Sequence, residues 1–348
     1  MRIDFKKIIK LRKLTLNKIL VVTGSIALIL IVVFWFWWGN KEIEIKNEKI
    51  SAITSNFPRS PISGIPCENA NRRPISIMMA ADPETRPLSG INGADIVFEM
   101  PVTPNDITRF MAVFQCQDPI EIGSIRSARN DFIPLASGLG SIYAHWGGER
   151  EALQKLNGHI IDNIDAMKYE GTVFYRKKGI PMPHNGFTDL GKITNQAEKL
   201  DYGLTNTFSG YLHEEKELKK NIANIAEEIK IDYASPYNIR WAYSTQDDEY
   251  KRFRGGKPEI DRNNDSQVST KVIVVMKTKS QYLSKDYIAV DTQGDGEALI
   301  YQGGIVSAGR WKKDPTTLDS KLYFYDASGG EVNFLPGKIW VEIVINQP

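Results

Sequence analysis

The sequence predicts an α+β protein with a membrane-anchor helix, a mixed α/β N-terminal domain and a smaller, largely antiparallel β C-terminal domain. Three observations predict this class. One uncharged apolar stretch is as long as a bilayer is thick, short apolar runs alternate with helical patterns in the first half, and strand patterns dominate the second half. A chain of 348 residues is also long enough for two domains.

The net charge of +2 conceals an uneven distribution. Residues 1–18 carry seven basic side chains and one acidic side chain, whereas residues 39–348 carry 37 basic and 41 acidic side chains. An acidic excess in the folded part argues against a general nucleic-acid-binding surface, so we expect no nucleic-acid partner. The basic residues form an N-terminal tail.

Residues 19–38 contain no charged side chain and would form a helix about 30 Å long, which matches the hydrocarbon core of a bilayer. The basic tail before this segment places the N-terminus in the cytoplasm, and Trp35, Trp37 and Trp38 suit the far interface. We therefore predict an uncleaved signal anchor: a single-pass cell-membrane protein with the bulk of its chain extracytoplasmic. A cleaved signal peptide is the alternative, although its apolar region is usually shorter and ends in small residues.

The linker and the N-terminal domain follow in order. Residues 39–60 are mostly polar and read as a tether, and residues 61–212 form the mixed domain. Within it, apolar runs predict strands at residues 75–80, 94–102, 108–115 and 141–146. Helical patterns lie near residues 127–139, 149–156 and 190–200.

Residues 213–232 space Leu218, Ile222, Ile225 and Ile229 as on one face of a helix, which predicts a helix connecting the two domains. From residue 233 to residue 348 strand patterns and glycine-containing turns dominate, which predicts the β-rich C-terminal domain.

Cys67 and Cys116 are the only cysteines, and both follow the predicted membrane segment, where disulfides can form. A bond between them would close a loop of about 50 residues. Two unrelated buried thiols are the alternative, because pairing geometry is not readable from sequence.

The densest polar cluster runs from Gly123 to Asp131. If Ser124 or Ser127 caps a helix, Arg126 and Arg129 share one face near its first turn, an arrangement that suits a phosphate or carboxylate. The alternative is two surface arginines neutralised by Asp131 or another acid.

Two further clusters contain histidines. His145 precedes Gly147 and Gly148, which allow close backbone approach to a ligand, and prolines around His184 and Asn185 could present an imidazole and an amide. A structural histidine and a simple turn are the respective alternatives. Neither a zinc-helix spacing nor a familiar serine-hydrolase signature occurs, so we expect no metal and no cofactor.

Several motifs in the same order resemble the YerB-like lipoprotein family of bacterial envelope proteins. The motifs are Pro61–Ile65, Arg73–Ile77, Arg86–Gly90, Ala94–Glu99, Ile107–Gln115, Ile122–Arg129, His145 with Gly147 and Gly148, Pro183–Asn185 and, more loosely, Lys271–Met276, Gly309–Lys312 and Pro336–Trp340. The resemblance implies a larger N-terminal and a smaller β-rich domain outside the cytoplasm, with undetermined activity.

The sequence departs from that family in two respects. A membrane helix stands where family members often carry a lipidated cysteine. Glu149 follows the glycine pair where a small hydroxyl residue is expected, which excludes a serine nucleophile there.

The arginines and histidines fall mostly within these motifs, so we expect them to share one cleft for an anionic guest. The expected ligand-binding residues are Arg109, Arg126, Ser127, Arg129, Gly147, Gly148, Arg176 and Asn185. The guest would be an anionic envelope glycan, peptide or phosphate-bearing polymer. One alternative is an envelope hydrolase or transferase with His145 or His184 as general acid or base. Another is a structural or interaction scaffold.

Overall fold

The structure, a computed structural model, describes residues 32–38, 56–215 and 225–345. The chain divides into two compact units, residues 1–57 and residues 58–348. In the first unit residues 32–38 are helical, and the remainder of the predicted anchor, the basic tail and most of the linker lie outside the described residues. Among the described parts of the chain, no helix combines the length and apolarity needed to cross a bilayer.

In residues 58–215 short strands and helices alternate. The strands are β1 (Ile75–Ala80), β2 (Ile96–Pro101), β3 (Thr108–Phe114), β4 (Ile122–Gly123), β5 (Ile142–His145), β6 (Asn163–Asp165), β7 (Tyr175–Arg176), β8 (Gly186–Thr188) and β9 (Leu212–His213). The helices are α1 (Ile133–Gly138), α2 (Arg150–Asn157), α3 (Ala166–Tyr169) and α4 (Leu190–Lys199), with 3-10 turns at Pro83–Thr85, Ile91–Gly93 and Asn130–Phe132.

Strands make up the regular structure of residues 225–345. They are β10 (Glu228–Ile231), β11 (Ile239–Ser244), β12 (Glu249–Arg254), β13 (Lys257–Pro258), β14 (Ile260–Asp261), β15 (Ser266–Gln267), β16 (Ser269–Thr270), β17 (Val272–Thr278), β18 (Ser280–Ser284), β19 (Tyr287–Val290), β20 (Gly294–Gln302), β21 (Ile305–Lys313), β22 (Tyr323–Asp326), β23 (Asn333–Phe334) and β24 (Ile339–Ile345). The mixed N-terminal and mostly β C-terminal composition agrees with the sequence prediction.

The two regions share one ten-stranded sheet, in the order β22-β21-β20-β17-β24-β2-β3-β1-β5-β6. The five C-terminal strands join the five N-terminal strands where β24 pairs in parallel with β2, from Ile96 opposite Ile339 to Glu99 opposite Glu342. Because side chains alternate across a strand, each face of this sheet carries its own apolar core. A smaller sheet of β10, β11, β12 and β13, with β16 beside β12, belongs to the C-terminal region.

Two predicted helices are wrong in part. In place of the connecting helix predicted over 213–232, the structure has strand at His213, the end of β9, and at β10. In β10 the buried Ile229 and Ile231 alternate with exposed residues. Residues 216–224 lie outside the described residues. The helix predicted over 127–139 begins only at Ile133, after a 3-10 turn. Residues 124–129 are instead engaged by backbone hydrogen bonds to neighbouring segments.

Cys67 and Cys116 form a disulfide with their Cα atoms 5.6 Å apart. The bond ties the loop that precedes β1 to the residues that follow β3. Beside it, the carboxylate of Asp95 accepts backbone N–H groups from Gln115 and Cys116 at 2.8 and 2.9 Å. The bond therefore fixes one end of the three N-terminal core strands.

Candidate functional site

The segment of residues 124–129 continues the central sheet where β5 stops. β5 pairs with the first three residues of β1, and beyond them Arg126 donates its N–H to Met78 at 2.9 Å while Ser124 accepts from Ala80 at 3.0 Å. Trp146, just after β5, donates its N–H to Arg126 at 3.0 Å. The segment is thus held between the end of β1 and the loop after β5, which fixes its side chains near the end of the sheet.

Three arginines come together at this place, and we call Arg109, Arg126 and Arg129 the arginine site. Arg109 lies on β3 opposite Ala80, and its Nη1 donates to the carbonyl oxygen of Ser127 at 3.1 Å. Arg109 is only 4% exposed. Burial, followed by the positive charges of Arg129 and Arg126, lowers the pKa of Arg109 to about 9. The site therefore concentrates positive charge in a place with little water.

Carboxylates only partly balance the arginine site. Asp82 lies 3.5 Å from Arg126, and Glu149 lies 3.8 Å from Arg129, while Arg109 forms no ion pair with any described residue. The Nε atoms of all three arginines are buried and lack a hydrogen-bond partner among the described residues. Guanidinium groups present their donors in a fixed planar fork, a geometry that matches a phosphate or carboxylate.

The structure does not place Arg126 and Arg129 on the first turn of a helix, because α1 begins at Ile133 and no side chain caps it. The prediction that Ser124 or Ser127 caps a helix carrying both arginines is therefore wrong. The arginines converge for a different reason: strand β3 and the 124–129 segment both flank the end of β1. Ser127 contributes its backbone carbonyl oxygen to this arrangement.

Gly147 and Gly148 adjoin the arginine site. The carbonyl oxygen of Gly147 accepts the N–H of Ala128 at 2.9 Å, and Gly148 forms an isolated parallel β-bridge with Ala128. The N–H of Gly147, however, already donates to Asp165 at 2.8 Å. This N–H is therefore not available to the ligand that the sequence analysis expects at Gly147. The φ of +61° at Gly147 explains why glycine stands here, since other residues rarely adopt that conformation.

Arg176 belongs to a separate group that is already neutralised. It pairs with Glu170 at 2.7 Å, donates to Asn185 at 2.9 Å, and lies 4.3 Å from the centre of the Trp146 ring. Asn185 is thereby occupied as well. Among the described residues, Arg176, Asn185 and the half-buried His184 form no direct contact with Arg109, Arg126 or Arg129, although Trp146 lies between the two groups, with its ring over Arg176 and its N–H on Arg126. The single cleft that the sequence predicts therefore remains a prediction.

His145 has a structural setting. Its side chain is 1% exposed, its Nδ1 lies 2.8 Å from the carbonyl oxygen of Gly147, and its Nε2 lies 3.3 Å from Oδ1 of Asn163. Both ring nitrogens are thus engaged within the protein. In this position the imidazole cannot reach a ligand.

Part of the surroundings of the arginine site comes from the C-terminal region. In the hairpin of β18 and β19, the centre of the Tyr287 ring lies 5.1 Å from the guanidinium carbon of Arg129. The carboxylate of Asp131 accepts the N–H of Val290 at 2.9 Å. Burial raises the pKa of Asp131 to about 7. Nothing in the local sequence signals this contact, because the partners lie about 160 residues apart.

A second set of charges, which sequence reasoning missed, lies inside the protein on the opposite face of the sheet. We call Glu99, Arg252, Arg254, Glu259 and Glu342 the buried ion cluster; each is at most 5% exposed. The isolated acids within the apolar runs of β2 and β24, and the alternation of Arg252 with Arg254, are the sequence signal, because charges in buried strands require partners.

Comparison with known proteins adds the family. The model described as "Protein of unknown function (DUF3048) N-terminal domain" matches residues 62–203, and the corresponding C-terminal domain matches residues 229–341. The chain is 28% identical over 297 residues to the protein named "Putative lipoprotein YerB" of Bacillus subtilis (strain 168). The aligned region covers 84% of this chain and 87% of that protein. The crystal structure of YerB from Bacillus subtilis superposes with a TM-score of 0.75 at 27% identity, over 83% of this chain and 97% of that chain. Both regions are matched in order, in sequence and in structure, and the chain therefore belongs to the two-domain YerB-like family.

Proposed function

We propose that this protein is an extracytoplasmic, membrane-anchored binding protein whose arginine site holds a phosphate- or carboxylate-bearing ligand of the cell envelope. The observation that carries the proposal is the excess of buried positive charge: three arginines face two carboxylates, and Arg109 has none of its own. A bound anion would supply the missing partner.

The anchor part of the proposal rests on residues 19–38. The apolar side chains of residues 32–38 are exposed, with Trp35 at 74%, and such a patch favours contact with lipid or another apolar surface. Both cysteines of the chain are used in the disulfide, so none remains to carry a lipid. We infer that an uncleaved helix, rather than lipidation, holds the protein at the membrane.

Binding is tested by titrating the full-length chain in detergent with pyrophosphate and following heat by calorimetry. We expect measurable binding by the unmodified protein and a loss of at least about tenfold in affinity for Arg126→Gln/Arg129→Gln, which corresponds to about 1.4 kcal/mol. Arg310→Gln is the matched control, since Arg310 is 60% exposed and pairs with Asp295 away from the site.

The free energy of unfolding separates a binding role from a structural one. If the double variant binds pyrophosphate as tightly as the unmodified protein, the arginine site is not the anion site. If the double variant instead loses both binding and more than about 3 kcal/mol of its free energy of unfolding, Arg126 and Arg129 primarily hold the fold together.

The anchor is tested in cells that produce the full chain. Sodium carbonate should leave the protein in the membrane fraction, and protease added outside the cytoplasmic membrane should digest residues 58–348. A protein released into the soluble fraction by carbonate would contradict the anchor, and protection from external protease would contradict the orientation.

A further inference from the structure

A cleft that shares no residue with the arginine site has a volume of about 760 Å³. Its walls come from both regions of the second unit: residues 137–141, 159–162 and 203–209 on one side, and residues 319–323 on the other. We call it the hydroxyl cleft because many of the side chains that line it carry a hydroxyl group, among them Ser137, Thr205, Thr207, Ser209 and Tyr323; Asp319 also lines it.

One wall presents a row of hydroxyl groups. Along residues 201–209 the odd-numbered residues are exposed and the even-numbered residues are less so, as expected when an extended chain turns alternate side chains to the same side. Thr205, Thr207 and Ser209 therefore line the cleft together. Their hydroxyl groups make no hydrogen bond to another described residue, so they can both donate to and accept from a ligand.

The positive charges in the hydroxyl cleft are already satisfied, unlike those of the arginine site. Arg73 pairs with Asp162 at 2.6 Å and donates to the carbonyl oxygen of Gly140 at 2.7 Å. Lys321 pairs with Glu331 and donates to the carbonyl oxygen of Gly210 at 2.6 Å. Neither Arg73 nor Lys321 is left unpaired for an anion, which leaves His159 as the remaining basic side chain in the lining, and Asp319 adds a negative charge; the cleft therefore favours an uncharged ligand over an anion.

Asp319 narrows the ligand class further. Its exposed carboxylate makes no ion pair or hydrogen bond with a described residue, and an ionised carboxylate accepts hydrogen bonds through two oxygens. A ligand with neighbouring hydroxyl groups can donate to both oxygens at once. Together with the hydroxyl row, Asp319 favours a ligand that carries many uncharged hydroxyl groups.

A separate cavity of about 670 Å³ also lies against β22. Tyr323 lines the first cavity and Tyr325 lines the second, and their rings are stacked with centroids 5.8 Å apart on β22. A ligand that contacted both tyrosines and both cavities would be a chain of several units lying along this strand.

We infer that the hydroxyl cleft binds an uncharged oligosaccharide. An extended peptide suits the cleft less well, because peptide recognition relies on pockets for alternate side chains, whereas the row facing the ligand here is made of short hydroxyl side chains. The inference is independent of the arginine site, with which the cleft shares no residue.

The test titrates the full-length chain in detergent with two uncharged tetrasaccharides, chitotetraose and cellotetraose, and follows binding by saturation-transfer NMR and calorimetry. We expect at least one to bind with a Kd of about 1 mM or tighter. Asp319→Asn and Thr207→Val should each weaken that binding at least about tenfold, because each removes a hydrogen-bond partner of the ligand hydroxyls.

Asp265→Asn is the matched control for Asp319→Asn, since Asp265 is exposed and its left-handed backbone, with φ of +53°, is one that asparagine also adopts. It should leave the affinity unchanged. Arg126→Gln/Arg129→Gln should also bind the tetrasaccharide normally, which separates this site from the proposed anion site. Three outcomes would each overturn the inference. Neither tetrasaccharide binds, or both cleft variants bind the tetrasaccharide as tightly as the unmodified protein, or an extended peptide binds saturably in the cleft instead.

Discussion

Glu99 and Glu342 are directly opposite each other on the parallel strands β2 and β24, and both are fully buried. Two like charges in this position would repel each other across the junction of the N- and C-terminal regions. Arg252 lies between them: its Nη1 donates to Glu342 at 2.7 Å and its Nη2 to Glu99. The junction therefore depends on a guanidinium supplied by a third strand, β12.

We predict that Arg252→Met lowers the free energy of unfolding by at least about 3–5 kcal/mol, because it leaves Glu99 and Glu342 without their shared partner. Urea unfolding followed by tryptophan fluorescence measures the change. Arg310→Met, which removes a pair that is about 60% exposed on both sides, should cost less than about 1 kcal/mol. Equal losses for the two variants would mean that the buried ion cluster carries no special role.

We predict that Glu342→Gln reduces the pH dependence of stability between about pH 4.5 and about pH 7. Burial raises the pKa of Glu342 from 4.5 to about 7, although the charge of Arg252 opposes this. The folded protein then binds the proton of Glu342 more tightly than the unfolded chain does. The resulting stabilisation of the folded state is complete below about pH 4.5, the pKa in the unfolded chain, and is lost as the pH rises through about 7, the pKa in the folded protein.

Glutamine cannot titrate, but its carbonyl oxygen can still accept from Arg252 and from Trp241, whose Nε1 donates to Glu342 at 2.9 Å. Urea unfolding of both proteins across this pH range gives the difference. Parallel curves for Glu342→Gln and the unmodified protein would show that Glu342 keeps its ordinary pKa.

We predict that Asp82→Asn binds pyrophosphate a few-fold more tightly than the unmodified protein. Asp82 lies 3.5 Å from Arg126, where its negative charge competes with an incoming anion. Calorimetric titration measures the affinity. The control is Asp118→Asn, which removes a carboxylate paired with Arg72 outside the arginine site and should leave the affinity unchanged. If Asp82→Asn bound pyrophosphate no more tightly than the unmodified protein, the proposed position of the ligand would be contradicted.

We predict that Cys67→Ala/Cys116→Ala lowers the free energy of unfolding by about 4 kcal/mol, because the bond closes a loop of about 50 residues and restricts the unfolded chain. Urea unfolding of the variant should match that of the unmodified protein under a reductant strong enough to open the bond. A variant as stable as the oxidised protein would mean that the loop is already constrained by other contacts.

The core strands could be predicted from sequence because β1, β2 and β3 are buried on both faces and therefore appear as short, mostly apolar runs. Helix α2 could be predicted because Ala152 and Leu156 recur one turn apart and are buried. Strand β10 was missed because Ile225 and Ile229 are four residues apart, which fits a helix, whereas burial actually follows the alternation of Ile229 and Ile231.

For the candidate site, Arg126 and Arg129 were found through their spacing in a polar cluster and Arg109 through the family motifs. The spacing argument assumed a helix, because nothing local indicates that the 124–129 segment continues a sheet. Their counter-charges could not be predicted, because Asp82 and Glu149 meet the arginines only once β1 and the loop after β5 are in place. The hydroxyl cleft is likewise formed by segments more than 100 residues apart.

The position of β24 in the middle of the large sheet affects how the protein matures during biosynthesis. β24 pairs with β17 on one side and β2 on the other, yet it is made after every other strand that the structure describes. The sheet therefore cannot be completed until residues 339–345 have been synthesised and are free to fold. Until then the N-terminal strands expose an unpaired apolar edge, so a nascent chain has reason to depend on chaperones.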